Sequence, residues 1–271
     1  MPRLQRAQGQ AAISVAQVNG RTRLNALVQQ GCTKLFLPRV PGPIPEAVLL
    51  NTSGGLTGGD YIRYGANVGD GASLLMTTQA AERLYRSTGE VAVVETQLSL
   101  AAGARLRWLP QETIFFDGAS LRRHLRIDMA GDAELLALEM LVLGRRAHGE
   151  TVNSGLLSDR WTVRRDGRLI LAEALRLKGA IAETLQQPAT AGGAQAMATL
   201  VFVAPDAEDR LAAARAILDE MSLNGVQAAA SAWDGLMVVR WLALEGWTLR
   251  RAIAAYLTAF TAFALPRVWA L

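Results

Sequence analysis

From residue 11 to residue 178 the sequence breaks into about a dozen short strand-like runs, roughly one every 10 residues, separated by turn residues. No helical period of useful length interrupts them. A chain patterned in this way folds as a β barrel, a β sandwich or a coil of stacked strands. The absence of a fixed repeat argues against a regular coil but permits an irregular one.

Taken in order, residues 1–10 are polar and read as a frayed end. Residues 11–18 alternate, with Ile13 and Val15 on one face, and residues 21–30 are placed to pair with them. Gly31 to Lys34 reads as a turn, residues 35–37 as a short strand stopped by Pro38, and residues 39–45, with prolines at 41, 43 and 45, as an extended loop. Asp166-Gly167 is a strong turn dipeptide and predicts a hairpin between residues 159–165 and 168–177.

The texture changes after residue 185. Residues 186–198 read as a loop and 199–204 as a strand. Asp206 is placed to cap a helix running to about Met221, with Leu211, Ala214, Ile217, Leu218 and Met221 as its apolar stripe. Residues 226–231 and 236–242 form a strand pair. Thr248 starts a last helix carrying Leu249, Ile253, Tyr256, Leu257 and Phe260, which ends before Pro266. This divides the chain into a β body at 1–185 and a βαββα subdomain at 186–271, packed on the body.

The chemistry available is narrow. Between Trp108 and Glu150 lie Glu112, Asp117, Asp128, Asp132, Glu134 and Glu139, several of them in apolar runs, where a carboxylate is costly unless paired or wetted. Two histidines, His124 and His148, and one cysteine, Cys32, rule out a closed zinc site. The glycine-rich Ser53 to Asp60 lacks the Lys-Ser/Thr ending of a phosphate loop and precedes a strand, so a tight β corner is its simpler role. Ser53, Ser87 and Ser154 stand in no Gly-x-Ser-x-Gly elbow. Glu112 with Asp117, or Glu139 with Glu173, has the residue types for glycoside acid/base chemistry, against which stands an arginine salt bridge for each acid. Arg145-Arg146 reads either as an anion or partner site or as a solvated turn.

The formal charge of +4 is spread along the chain, which disfavours nucleic acid as a partner. Only Lys34 and Lys178 are lysines; the other cations are arginines. A single cysteine, no signal-peptide core and no apolar run of membrane-spanning length lead to the expectation of a cytoplasmic, membrane-free protein.

Six segments, in order, resemble the urease accessory proteins of the UreD (UreH) type. They are Asn51 to Asp60, Thr77 to Arg86, Trp108 to Asp117, Leu143 to Glu150, Asp166 to Leu169 and Leu265 to Trp269. The resemblance implies a mainly β fold, an irregular β-helix-like body of short strands with two α-helices in the C-terminal subdomain, and no catalysis. It implies a chaperone that binds apo-urease with the accessory proteins F and G, as a dimer of D–F heterodimers, with no tightly bound cofactor and Ni²⁺ in transit through an internal tunnel. Glu139 and Glu173 match acids on that tunnel and are the expected transient nickel ligands; Glu112, Asp117 and Glu150 join them as route candidates. Gly54, Gly55, Gly58, Gly59, Asp60, Tyr85, Arg86, Trp108, Pro110, Gly144, Arg145 and Gly149 are the motif positions expected to shape the structure or a partner face. A scarcity of imidazole and thiolate, which would trap the metal, agrees with such a conduit. The reading set against this one is a β-solenoid carbohydrate-active enzyme using paired carboxylates.

Overall fold

The computed structural model describes residues 5–40, 42, 44–221, 225–261 and 263–269, without the side chain of residue 146. Its strands are arranged by a simple rule: the chain crosses from one sheet to the other and back, and each crossing lays a strand parallel to the one before. β1 (Gln8–Val18) and its antiparallel partner β2 (Arg21–Gly31) begin the first sheet, and β3 (Thr33–Phe36) with β4 (Glu46–Asn51) begins the second. The coils follow as β5 (Tyr61–Val68), β6 (Ser73–Thr78) and β7 (Glu82–Leu84), then β8 (Ala92–Leu100), β9 (Arg105–Trp108) and β10 (Thr113–Phe115), then β11 (Ser120–Met129) and β12 (Glu134–Leu143). β13 (Leu156–Arg165) adds the last parallel strand, and β14 (Arg168–Lys178) turns back on it antiparallel. The body is therefore a solenoid of about four turns, as the strand spacing and the family resemblance implied.

Inward positions are set by the two-residue period of a strand. On the first sheet Ile62, Leu98, Leu125, Trp161 and Val163 point between the sheets, and on the second Met76, Leu106, Leu135 and Leu141 meet them. Burying each such side chain contributes about 1.5–3 kcal/mol, and these residues make one continuous core. Two-residue turns with both φ angles positive join each of three antiparallel hairpins: Asn19-Gly20, Asp166-Gly167 and Asp234-Gly235. That geometry matches strand twist and favours Asn or Asp followed by Gly.

After β14 come a short helix α1 (Ile181–Gln186), β15 (Ala196–Val203), α2 (Leu211–Glu220), β16 (Val226–Trp233), β17 (Leu236–Ala243) and α3 (Gly246–Thr261). β15 pairs antiparallel with β12, so the second sheet runs on through β17 and β16. The opposite face of β12, Leu136, Leu138 and Met140, is covered by Leu249, Ile253, Tyr256 and Leu257 of α3 in a second core. β12 is thus buried on both faces, which explains its near-continuous apolar sequence.

Several boundaries differ from the sequence reading. The first strand begins at Gln8, because its backbone pairs with both β2 and β5. Gly31 ends β2 and Thr33 starts β3, which confines the turn to Cys32. α1 was not anticipated. α2 starts at Leu211 with Arg210 at its N-cap, and Asp206 instead sits in the preceding turn, accepting from Arg210 Nε at 2.7 Å. The proline loop is described only in part, since residues 41 and 43 lie outside the described residues.

Candidate functional site

Three charged side chains stand inward where the pattern calls for apolar ones. Arg123 on β11 lies between Leu121 and Leu125, Asp159 on β13 between Leu157 and Trp161, and Glu139 on β12 between Ala137 and Leu141. Register places Arg123 beside Asp159 on the first sheet, and Glu139 faces them from the second. Arg123 Nε donates to Asp159 Oδ1 at 3.0 Å and one terminal nitrogen to Asp159 Oδ2 at 2.5 Å, while the other reaches Glu139 Oε2 at 2.5 Å and Thr113 Oγ1 at 3.2 Å. Trp108 Nε1 donates to the remaining Glu139 oxygen at 3.0 Å. The three residues are only 7–8% exposed. Burial pushes the Glu139 carboxyl above its ordinary range, against the pull of Arg123. Burial pulls the Arg123 pKa down, but Asp159 and Glu139 outweigh it and leave it above its ordinary value.

Beside Glu139 the second sheet is broken. The first half of β12 pairs with β9 and the second half with β10, and between these two strands run residues 109–112, including Pro110. Pro110 has no N–H to give to a ladder, so the break falls there. The C-terminal segment packs into it: Trp269 Nε1 donates to Leu109 O at 3.2 Å, and Gln111 Nε2 to Val268 O at 3.2 Å.

Two cavities adjoin the ion cluster. One, of about 450 Å³, is lined by Glu139, Asp159, Glu173, Thr199 and Arg240 among others. Glu173, inward on β14, is engaged there by Arg240. The other, about 50 Å³, is lined by Tyr64, Thr78, Glu82, Thr96, Gln111 and Thr113 together with Arg123 and Glu139. Both are large enough for water, and their polar groups stand among mostly apolar walls. Burial pushes the Glu82 carboxyl up to about 7, even though Asn51 Nδ2 donates to it at 3.1 Å.

The remaining sequence candidates lie elsewhere. Glu112 borders a different groove beside α3 and takes an Arg250 hydrogen bond at 3.0 Å. Asp117 accepts from the Asn153 and Ser154 backbone N–H groups, both at 2.9 Å, and from Arg86. Glu150 accepts from Arg145 N and Nε at 2.9 Å, and Arg145 lies 4.3 Å over the Phe116 ring, which Tyr85 meets edge-on. Gly144 and Gly149, flanking this turn, both have positive φ. The glycine loop is a tight corner. A Cβ at Gly55 would sit 2.4 Å from Tyr85, one at Gly58 2.2 Å from Ser87 Oγ, and Gly54 and Gly59 have positive φ. Asp60 closes the loop, accepting from Ala7 N at 2.7 Å and Thr57 N at 2.8 Å. The side chain of Arg146 lies outside the described residues.

Of the expected route acids, then, only Glu139 and Glu173 share a cavity. The sequence reading missed Arg123, Asp159 and Glu82. The signal for the first two was their odd-numbered place among the inward leucines. Among the described residues no group of three or more His, Cys, Asp or Glu side chains is arranged to hold a metal, and no helix is long and apolar enough to cross a membrane.

The family model of the UreD urease accessory protein matches residues 7–270. The chain is similar to the urease accessory protein UreD of a Methylobacterium species, 49% identical over 99% of this chain and 96% of the relative. It is also similar to the UreD proteins of Xanthobacter autotrophicus, 50% identical over 98% and 91%, and of Azorhizobium caulinodans, 44% identical over 100% and 98%. With its coiled body and near full-length similarity, the chain belongs to the UreD family of urease accessory proteins and acts in urease maturation.

Proposed function

We propose that this chain is a non-catalytic cytoplasmic chaperone that conducts Ni²⁺ through its interior toward the urease active site. In this reading it is bound to apo-urease and to the accessory proteins F and G, as a dimer of D–F heterodimers. The observation that carries the reading is Glu139: a buried carboxylate that borders two cavities, with Glu173 on the wall of the larger one. Hard oxygen ligands and water hold Ni²⁺ loosely and exchange it, whereas imidazole and thiolate would retain it. The carboxylates proposed for paired acid/base work are engaged by arginines: Glu112 by Arg250, Asp117 by Arg86, Glu139 by Arg123 and Glu173 by Arg240. The arrangement favours passage over turnover.

The double variant Glu139→Leu/Glu173→Leu tests this. Co-purification with F, G and apo-urease should be unchanged, while urease activity and nickel per active site fall by roughly tenfold or more. Full activation by the double variant removes these acids from the route.

A further inference from the structure

Only two residues line both cavities, Arg123 and Glu139. The partition between the large and the small cavity is therefore an ion pair, and its one positively charged member is a side chain. Arg123 spends four N–H contacts on Asp159, Glu139 and Thr113, and none of these partners is backbone. Its withdrawal breaks no hydrogen bond to backbone. Two carboxylates and one guanidinium leave one negative charge in excess at the partition. Removing the guanidinium from between them would leave two carboxylates facing each other across a space bordered by water-sized volume on both sides, which is an arrangement that draws in a divalent cation.

We propose that Arg123 is a displaceable internal cation that gates the interior: at rest its guanidinium fills the place between Glu139 and Asp159, and an incoming divalent cation takes that place and joins the two cavities. This rests on the conducting reading given above and adds a gate to it. The gate gives the passage a charge test. A monovalent cation offers the two carboxylates no more charge than Arg123 already does, and without its five fixed donors, so it has no advantage in the exchange. A divalent ion does. Asp159 becomes a site residue by the same argument, and the small cavity beyond the partition presents Glu82 as the next acid.

Titration of the full-length chain with Ni²⁺ alone tests the exchange. Arg123→Gln removes the competing charge, so the variant should bind Ni²⁺ at least roughly tenfold more tightly than the unaltered chain. Adding Asp159→Asn should abolish the gain. A folded Arg123→Gln variant with unaltered Ni²⁺ affinity, or a gain that survives Asp159→Asn, overturns the gate. Should Arg123→Gln fail to fold, Arg123→Lys serves instead: its single ammonium keeps the charge but cannot span both carboxylates, and a gain of roughly severalfold is expected. No gain overturns the gate here too. The two readings fail separately. Lost delivery in Glu139→Leu/Glu173→Leu with unchanged affinity in the Arg123 variants removes the gate and keeps the route. Normal delivery in that double variant removes the route itself.

Discussion

Two of the molecule's arginine–carboxylate clusters are built from the same residue types, and burial separates them. In the interior, Arg123 bridges Glu139 and Asp159 with side chains about 8–10% exposed. At the corner beside the glycine loop, Arg86 meets Asp117 and Arg145 meets Glu150, with the arginines 69% and 48% exposed. The corner acids also accept backbone N–H groups, from Asn153 and Ser154 on Asp117 and from Arg145 and Asp117 on Glu150. They fix chain direction. The interior acids accept only side-chain donors, so no backbone depends on them. Ion pairs that hold backbone in place read as architecture; an ion pair that holds only other side chains, at high desolvation cost, calls for a functional reason.

The largest test of that contrast is Arg123→Met. It strands two buried carboxylates, and the expected loss is about 3–5 kcal/mol in urea unfolding. If the cost is electrostatic, the apolar replacement Arg123→Met/Glu139→Leu/Asp159→Leu should recover most of it. Equal instability in both variants would make the cluster a packing element. At the corner, Asp117→Ala removes an acceptor from two N–H groups, and a loss of about 1–2 kcal/mol is expected at pH 7. Burial alone would raise the Asp117 pKa, but the Ser154 and Asn153 N–H groups and Arg86 bring it below the usual value. Its contribution is therefore present above the unfolded pKa and disappears as pH falls through the folded one, so the difference from the parent should shrink below about pH 4. A pH-independent loss would show that the carboxylate charge is not what organises the corner.

The smallest effect has the opposite sign. Glu82 is raised to about 7, so on going from acid to neutral pH the unfolded chain ionises first and stability declines as pH rises toward 7. Glu82→Gln keeps an acceptor for Asn51 and should stabilise the fold by about 1 kcal/mol at pH 8, with the gain fading toward pH 5. Equal stabilisation at both pH values would mean that the benefit comes from something other than the charge.

The coil was legible because turn residues and two-residue alternation are local. Asp166-Gly167 marked a hairpin, and the near-continuous apolar run around Leu138 marked a strand, which the structure covers on both faces. Arg123 was not legible for the opposite reason. It sits in Arg122-Arg123-His124, which reads as a solvated stretch, and what pays its burial cost is Glu139, contributed by the other sheet 16 residues away. Glu139 was conspicuous because its neighbours are all apolar, and Glu173 stood out first as a possible acid/base partner for it and then through family resemblance. α1 escaped notice since six residues with only Ile181 and Leu185 buried show too little of a helical period. At α2, Asp206 offered a better cap than Arg210, but the turn before the helix takes Asp206 for its own pairing.

The seal over the break at Pro110 has a consequence for biogenesis. Each coil lies on the one before it, so the body can assemble in the order in which the chain is made. The pieces that fill the break, Arg250 of α3 and the Val268-Trp269 turn, follow every coil in that order. Until they dock, the small cavity lacks this cover at Pro110 and Gln111, and Leu109 O and the Gln111 amide lack their C-terminal partners. A nascent chain passes through a stage in which its coils are already made and the cover of this break is not.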